Sequence, residues 1–335
     1  MGVRGGGTPR IVVLAGGVGG SKFVLGAREA LRRRGVAASA DHLTVVVNTG
    51  DDLWLSGVRL QPDVDSITYA LAGVNDTQRG WGRQDDSERV NAELQAWGAG
   101  WPWFTLGDRD LGTHLARTGW LRDGATPTRV LELMAARWDL GARLLPMTDA
   151  EVDTIVTVDE PETGPRPMHF QEWWTRHRAS LRPLAFDNPG IEAAAPAPGV
   201  ADAIAAADVV LVAPSNPVVS IGPILAVPGI RSALRRTDAP VVGVSPIIGG
   251  RVVRGMADVC LTAIGVETSA VGVAGLYGAR SGDGVLDSWL VAQEDAAAVD
   301  VVRVLGLDAH ARPLWMTDPA RSADIVDAAL ALAGV

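Results

Sequence analysis

Two acidic clusters sit close together in the stretch T-V-V-V-N-T-G-D-D-L-W-L-S-G-V-R-L-Q-P-D-V-D: Asp51 with Asp52, and Asp63 with Asp65. Carboxylates suit a hard, oxygen-seeking cation such as Mg²⁺, which takes one or two of them and fills its octahedron with water and phosphate oxygens. One carboxylate from each cluster would serve, leaving the others to orient water or hydrogen-bond a substrate hydroxyl. The same acids would also fit plain capping of turns and of a helix N-terminus. Upstream, G-G-V-G-G-S-K supplies Gly16, Gly17, Gly19, Gly20, Ser21 and Lys22. Glycines permit close backbone approach, and the N–H groups of a following helix attract phosphate. The spacing is neither G-x-G-x-x-G nor a Walker A loop, so it is not specific for NAD and also fits a tight turn.

These groups need elements to bring them together. Residues 11–15 and 43–47 are short apolar runs, the pattern of strands buried on both faces of a parallel sheet. Between them the glycine run opens a helix with Val24, Ala27 and Leu31 on one face and Arg32, Arg33 and Arg34 near its end, where cations complement the dipole. This is a βαβ unit, and open α/β sheets bind ligands beyond the carboxyl ends of their strands. Asn48, Thr49 and Gly50 break the second strand there, directly before Asp51. Asp63 opens a helix running to Ala72. Residues 103–106 read as a strand and 111–145 as helical. Between 151 and 185 short strands alternate around a P-E-T-G-P-R-P turn. The core resumes at 201, with strands over 209–213 and 241–245, edge strands over 286–291 and 314–317, and a helix over 325–333. The expected fold class is α/β: a Rossmann-like, mostly parallel sheet core with a smaller α+β insertion. Its divisions are 10–110, the insertion at 111–184, and the continued core at 185–335.

Three further constellations carry polar chemistry. In L-G-D-R-D, Asp108, Arg109 and Asp110 follow the strand expected at 103–106, with His114 one turn on. Arg109 would pair with a phosphate or bridge its two acidic neighbours. Ser215, Asn216, Pro217 and Ser220 lie beyond the strand at 209–213 and offer hydroxyl, amide and backbone donors with little charge. They suit a neutral heterocycle or a phosphate, or form a proline-stiffened turn. The run H-F-Q-E-W-W at 169–174 has the aromatic density to stack a flat ring, although paired tryptophans also build cores.

Composition removes several classes. The 39 acidic and 30 basic side chains give a net charge of −9, which argues against broad nucleic-acid or membrane-surface binding. A polyphosphate ligand would then need a metal, backbone N–H groups or a local basic cluster to offset repulsion. The single Cys260 excludes an intrachain disulfide and a multi-cysteine zinc site, and fits a cytoplasmic setting. Residues 1–9 read as a flexible leader without the apolar region of a signal peptide. No Ser-His-Asp order, C-x-x-C or H-E-x-x-H occurs, so covalent hydrolase and zinc-enzyme chemistry have no support.

Taken in order, A-G-G-V-G-G-S-K, V-V-N-T-G-D-D-L-W, P-D-V-D-S, L-G-D-R-D, L-L-P-M-T-D, H-F-Q-E-W-W and A-P-S-N-P-V-V-S-I-G-P-I-L resemble the CofD/FbiA family over nearly the whole chain. These are the 2-phospho-L-lactate or phosphoenolpyruvate transferases of coenzyme F420 biosynthesis. The resemblance implies a Rossmann-like core, a homodimer and Mg²⁺ dependence. It also implies transfer of a phospho-carboxylic-acid unit from a guanosine diphosphate conjugate to the deazaflavin acceptor Fo, with release of GMP. By motif position Asp51 and Asp63 are the metal ligands, and Asp65 and Thr105 contact the acceptor. Thr105 stands where family members often carry Lys, so any contact there is uncharged. The insertion at 111–184 falls on the acceptor side. The glycine loop with Ser21, Lys22 and Asn48, the loop carrying Ser215, Asn216, Pro217 and Ser220, and Asp108 complete the expected substrate contacts. Asp65, then Asp52, would orient or deprotonate the attacking hydroxyl, with Arg109 beside the phosphate. The wording of W-F-T-L-G-D-R-D-L favours the enolpyruvyl donor over the lactyl and glyceryl ones. The related YvcK-type proteins, nucleotide-sugar-binding regulators on a similar core, are the alternative.

Overall fold

Strands as apolar as Ile11–Ala15 (β1) and Leu43–Val47 (β2) need cover on both faces, and every residue of β1 is buried. They pair in parallel, Ile11 with Leu43 through Ala15 with Val47. The computed structural model describes residues 8–36, 39–100 and 102–335, so the leader read at 1–9 lies, up to residue 7, outside the described residues. Five more strands join the sheet: Arg143–Pro146 (β3), Val209–Val212 (β4), Val241–Val244 (β5), Ser288–Ala292 (β6) and Asp308–Arg312 (β7). All seven run parallel in the order β7-β6-β5-β4-β1-β2-β3. The order reverses between β1 and β4, the position where open α/β sheets form a ligand crevice.

The faces are covered by two apolar clusters. One gathers Phe23, Val24, Ala27 and Leu31 of helix α1 (Gly17–Arg33) with Ile325, Val326 and Leu330 of the last helix, Pro319–Leu332. The other gathers Ile224, Leu234, Tyr277 and Trp289 on the opposite face. At about 25 cal/mol per Å² of apolar surface removed from water, such side chains supply most of the drive to fold.

Three departures from the expected elements bear on the site. First, Leu53–Leu55 and Val58–Leu60 form a two-stranded antiparallel hairpin. Its tip residues Ser56 and Gly57 have φ of 48° and 80°, the left-handed pair that a two-residue hairpin turn requires. Second, residues 103–106 are not a strand. Phe104 and Leu106 instead pack on the hairpin's Leu53, Leu55, Val58 and Leu60. Third, the edge strand is Asp308–Arg312, not 314–317. Its polar D-A-H-A-R sequence hides the strand, because an edge needs fewer apolar side chains than the sheet centre.

The insertion is divided. Helices α4 (Asp108–Arg122) and α5 (Pro127–Ala135) follow α2 (Pro62–Ala72) and α3 (Arg89–Ala96), and β3 then returns the chain to the core sheet within 111–184. After it, Ile155–Glu160, Gly164–His169 and Arg182–Asp187 build a small antiparallel sheet. That sheet has its own core of Val156, Val158, Phe170 and Trp173, closed by Met256 and Cys260.

Candidate active site

A cavity of about 930 Å³ opens at the strand-order reversal. Its floor is the loop after β1 (Gly16, Gly17, Gly19) and the loop after β4 (Pro214, Ser215, Asn216). Its walls come from the start of α2, the start of α4, the 79–82 and 103–106 segments, and Phe170, Trp174 and Trp315. One end is thus backbone-rich and acidic, and the other is aromatic.

The hairpin explains how the acidic clusters meet. Its antiparallel strands return the chain beside its starting point, so Gln61 Nε2 donates to Asp52 Oδ2 at 2.6 Å. Asp51 and Asp63 are thereby set against each other, both 5% exposed and within hydrogen-bonding reach. Asp51 Oδ2 accepts from Gln171 Nε2 at 3.2 Å, while its Oδ1 is buried without a partner among the described residues. Asp63 Oδ2 accepts from Asn48 Nδ2 at 2.9 Å and from Ser220 Oγ at 3.5 Å, and the Gly17 N–H also donates to this carboxylate. Burial, then the neighbouring carboxylates of Asp63 and Asp52, holds the Asp51 carboxyl well above its usual range. Burial also pushes Asp63 up to about 6, against the donors around it. A divalent cation fits this pair, because it would engage the free Oδ1 of Asp51 and relieve the repulsion that burial amplifies.

The glycine loop is sterically fixed. A Cβ on Gly16 would stand 2.3 Å from Asp63 Oδ2 and 2.8 Å from Ser220 Cβ. On Gly19 it would meet the Pro214 carbonyl oxygen at 2.8 Å, and on Gly20 the Ser215 Oγ at 2.8 Å. Ser215 Oγ accepts from Gly16 N–H at 3.1 Å and donates to Gly16 O at 2.7 Å, tying the two loops together. Asn216 Oδ1 accepts from Val218 and Val219 N–H, which turns its amide nitrogen toward Met256 and Cys260. Ser21 Oγ donates back to Val18 O, and Lys22 Nζ reaches Met316 O at 3.3 Å.

Several expected site residues lie on the cavity wall: Gly16, Gly17, Gly19, Lys22, Asp51, Asp63, Asp65, Thr105, Ser215, Asn216 and Ser220. Others do not. Gly20, Ser21, Asn48 and Pro217 stand behind it, where Asn48 orients Asp63. Asp52 points away from the cavity to Gln61 and to Arg59 at 3.6 Å, and burial raises its carboxyl against the pull of Arg59. Arg59 in turn pairs with both oxygens of Asp153, at 3.0 and 2.7 Å. Arg109 neither bridges Asp108 and Asp110 nor lines the cavity. Its backbone N–H donates to Asp86 Oδ1 at 2.8 Å and its guanidinium to Gln84 O at 3.2 Å. Asp108 accepts from Ser87 Oγ at 2.6 Å and Val90 N–H at 3.0 Å, so it pins the 87–90 segment.

Asp65 forms a two-point ion pair with Arg117, which is fully buried. Arg117 Nη1 also lies 3.0 Å from His114 Nδ1. A guanidinium only donates, so Nδ1 accepts in this contact, which leaves Nε2 as the ring's other nitrogen. That nitrogen faces Asp110 Oδ1 at 3.4 Å, which accepts from Tyr69 OH at 2.7 Å. Asp110, His114 and Tyr69 line the cavity; the sequence reading set Asp110 and His114 beside Arg109 without giving either a substrate role, and gave none to Tyr69 or Gln171. The available signal was spacing, since positions 110, 114 and 117 share one face of α4.

Residues 11–311 match the family model described as 2-phospho-L-lactate transferase CofD. The chain belongs to the CofD family. A phosphoenolpyruvate transferase of Mycobacterium sp. (strain KMS) is 50% identical over 333 residues, which is 97% of this chain and 99% of that protein. One of Nocardia farcinica (strain IFM 10152) is 51% identical over 329 residues, 98% of this chain and 96% of its own. Family membership makes this chain a transferase of coenzyme F420 biosynthesis and does not favour the YvcK-type regulatory reading. Among solved structures, protein BH3568 from Bacillus halodurans superposes with a TM-score of 0.61 at 20% identity, covering 97% of this chain and 100% of that one. At that identity the likeness shows the α/β fold alone. No helix among the described residues is long and apolar enough to cross a membrane.

Proposed function

We propose that this family member transfers a phosphoenolpyruvyl unit from a guanosine diphosphate conjugate to the terminal ribityl hydroxyl of Fo and releases GMP. The carrying observation is the cavity itself, whose acidic, backbone-rich end joins an aromatic end. A diphosphate fits the first and a deazaflavin ring the second. The enolpyruvyl rather than the lactyl donor follows the name shared by relatives such as those of Mycobacterium and Nocardia.

Phosphoryl transfer asks chiefly for positioning and charge neutralisation. Asp51 and Asp63 would hold Mg²⁺, which when bound supplies the positive charge that a chain of net charge −9 lacks around a diphosphate. Gln171 and Asn48 orient those two carboxylates. The N–H groups at the start of α1 face the phosphates. Asp65, held by Arg117, is the carboxylate assigned to the attacking hydroxyl; Asp52, turned to Gln61, is not available for it. Thr105 lies among the aromatic residues that would cover the ring. The hydroxyl oxygen bonds to the phosphorus bearing enolpyruvate as the bond from that phosphorus to GMP breaks. We further propose that the enzyme acts as a homodimer in the cytoplasm.

The test is mass spectrometry of products from Fo with each guanosine diphosphate conjugate and Mg²⁺. The reading expects the enolpyruvyl adduct of Fo together with GMP. Turnover of the lactyl conjugate alone would reassign the donor, and no conversion of Fo with any conjugate would remove the reading.

A further inference from the structure

Gln171, Trp174, Thr175 and Arg178 all lie on the cavity wall. Gln171, Trp174 and Thr175 belong to one helical segment, and Arg178 stands in the turn that follows it. Part of that segment, Glu172–Arg176, is wound as a π-helix, a local form that recurs at functional sites. Thr175 Oγ1 donates to Gln171 Oε1 at 3.2 Å, which turns the Gln171 amide nitrogen to Asp51. The segment is therefore registered directly on the acidic pair.

It ends in an unusual turn. Arg178 and Ala179 have φ of 50° and 54°, a left-handed conformation that residues other than glycine, asparagine and aspartate rarely adopt. The turn is held by Ala179 N–H to Trp173 O at 3.0 Å, Ser180 N–H to His177 O at 2.9 Å and Trp173 Nε1 to Leu181 O at 2.8 Å. Trp173 is wholly buried, so the turn is anchored in the core of the small sheet. The result is an arginine whose backbone is fixed at the cavity wall while its side chain is exposed.

Other cations there are engaged. Lys22 donates to Met316 O, Arg79 pairs with Glu88 and stacks on Trp81, and Arg254 donates to Arg79 O. Arg178 has no hydrogen bond or ion pair among the described residues. A guanidinium presents a planar fork that matches a carboxylate. Arg178 follows the π-helical stretch in this turn and shares the cavity wall with Gln171, whose amide nitrogen touches Asp51.

We propose that Arg178 binds the carboxylate of the transferred acid unit and so selects donors that carry one. This rests on the donor class proposed above. The residue acts in donor recognition, so it should change KM and leave kcat nearly unchanged.

The experiment measures the steady-state kinetics of the wild type, Arg178→Ala, Arg178→Asn and Arg178→Lys with the enolpyruvyl conjugate and its carboxamide analogue. Calorimetric binding of both conjugates without Fo, and of GDP, accompanies it. Asn tolerates the left-handed backbone, so Arg178→Asn separates side-chain loss from damage to the turn. Loss of one charge-assisted contact predicts a weakening of about 10- to 100-fold for the natural donor in the Ala and Asn variants. The Lys variant should recover part of it, and GDP affinity should not move. Wild type should disfavour the carboxamide, and Arg178→Asn should not distinguish the two donors. Unchanged donor affinity in the Asn variant, or a carboxamide penalty that persists in it, would overturn the assignment. Should wild type fail to convert Fo, the proposed reaction falls, while the binding measurements still decide on Arg178.

Discussion

Asp51 and Asp63 face each other on the cavity wall within hydrogen-bonding reach, both 5% exposed, with the hairpin between them closing the chain back on itself. Both carboxyls are raised in the folded protein, Asp63 to about 6. A raised carboxyl binds its proton more tightly folded than unfolded, so its contribution to stability is complete below the unfolded pKa, about 4. It is lost as pH rises through the folded pKa. Metal-free protein should therefore lose thermal stability between about pH 4 and pH 7. Mg²⁺ should restore it most at the upper end, and Asp51→Asn should flatten the profile. Melting temperatures across pH, with Mg²⁺ and with chelator, decide this. A profile identical in wild type and Asp51→Asn would count against the two buried carboxyls as the source of the pH dependence.

Gly16 is the glycine on which the acidic pair depends. Its φ of −155° is ordinary extended backbone, so an alanine there is limited by space and not by strain. The added Cβ at 2.3 Å from Asp63 Oδ2 must push that carboxylate away from Asp51. Gly16→Ala should thus reduce turnover at least about tenfold, the cost of misplacing a reacting group. Circular dichroism should show the fold retained. Wild-type turnover would mean that Asp63 is free to move.

Much of this was readable from residue patterns, and the failures have physical causes. The apolar runs 11–15, 43–47, 209–213 and 241–245 announced a buried parallel sheet because nothing else covers both faces of a strand. The glycine loop and the S-N-P loop followed at strand ends, and the structure joins them through Ser215 and Gly16. The L-W-L-S-G-V-R-L hairpin was not read, although Ser-Gly between alternating apolar residues is a turn signal. Missing it left residue patterns alone unable to separate Asp51 from Asp52, which only the family motif did, whereas the fold turns one to the cavity and the other to Gln61. Long-range partners such as Asp65 with Arg117 leave no local trace in the chain.

Asp52, Asp108 and Arg109 separate charge near the site from charge in it. Asp52 is bound to Gln61 and near Arg59, so Asp52→Asn should cost stability through that buried network and leave the donor KM within about twofold. Arg109→Ala should leave both KM values unchanged. Asp108→Ala should loosen the 87–90 segment, read as faster hydrogen exchange there, with kcat preserved. A large fall in kcat for Arg109→Ala would return that arginine to the mechanism.

Asp65 and Arg117 pose the hardest separation, because the same carboxylate is structural and assigned to the attacking hydroxyl. Asp65→Asn leaves Arg117 buried and uncompensated, which costs about 3–5 kcal/mol. Lost activity in that variant alone would therefore not identify a role. Arg117 Nη2 already lies 3.5 Å from Met134 Sδ, so a thioether fits its surroundings. The double variant Asp65→Asn with Arg117→Met should recover most of the stability, since replacing a buried ion pair by apolar packing is often neutral or stabilising. Its turnover should stay low, about 10²-fold below wild type, if Asp65 receives the hydroxyl proton. Chemical denaturation measured beside single-turnover rates makes the comparison. Activity that returns together with stability would make Asp65 an anchor for α4 and move the search for the base to Asp110, which shares the cavity wall with His114.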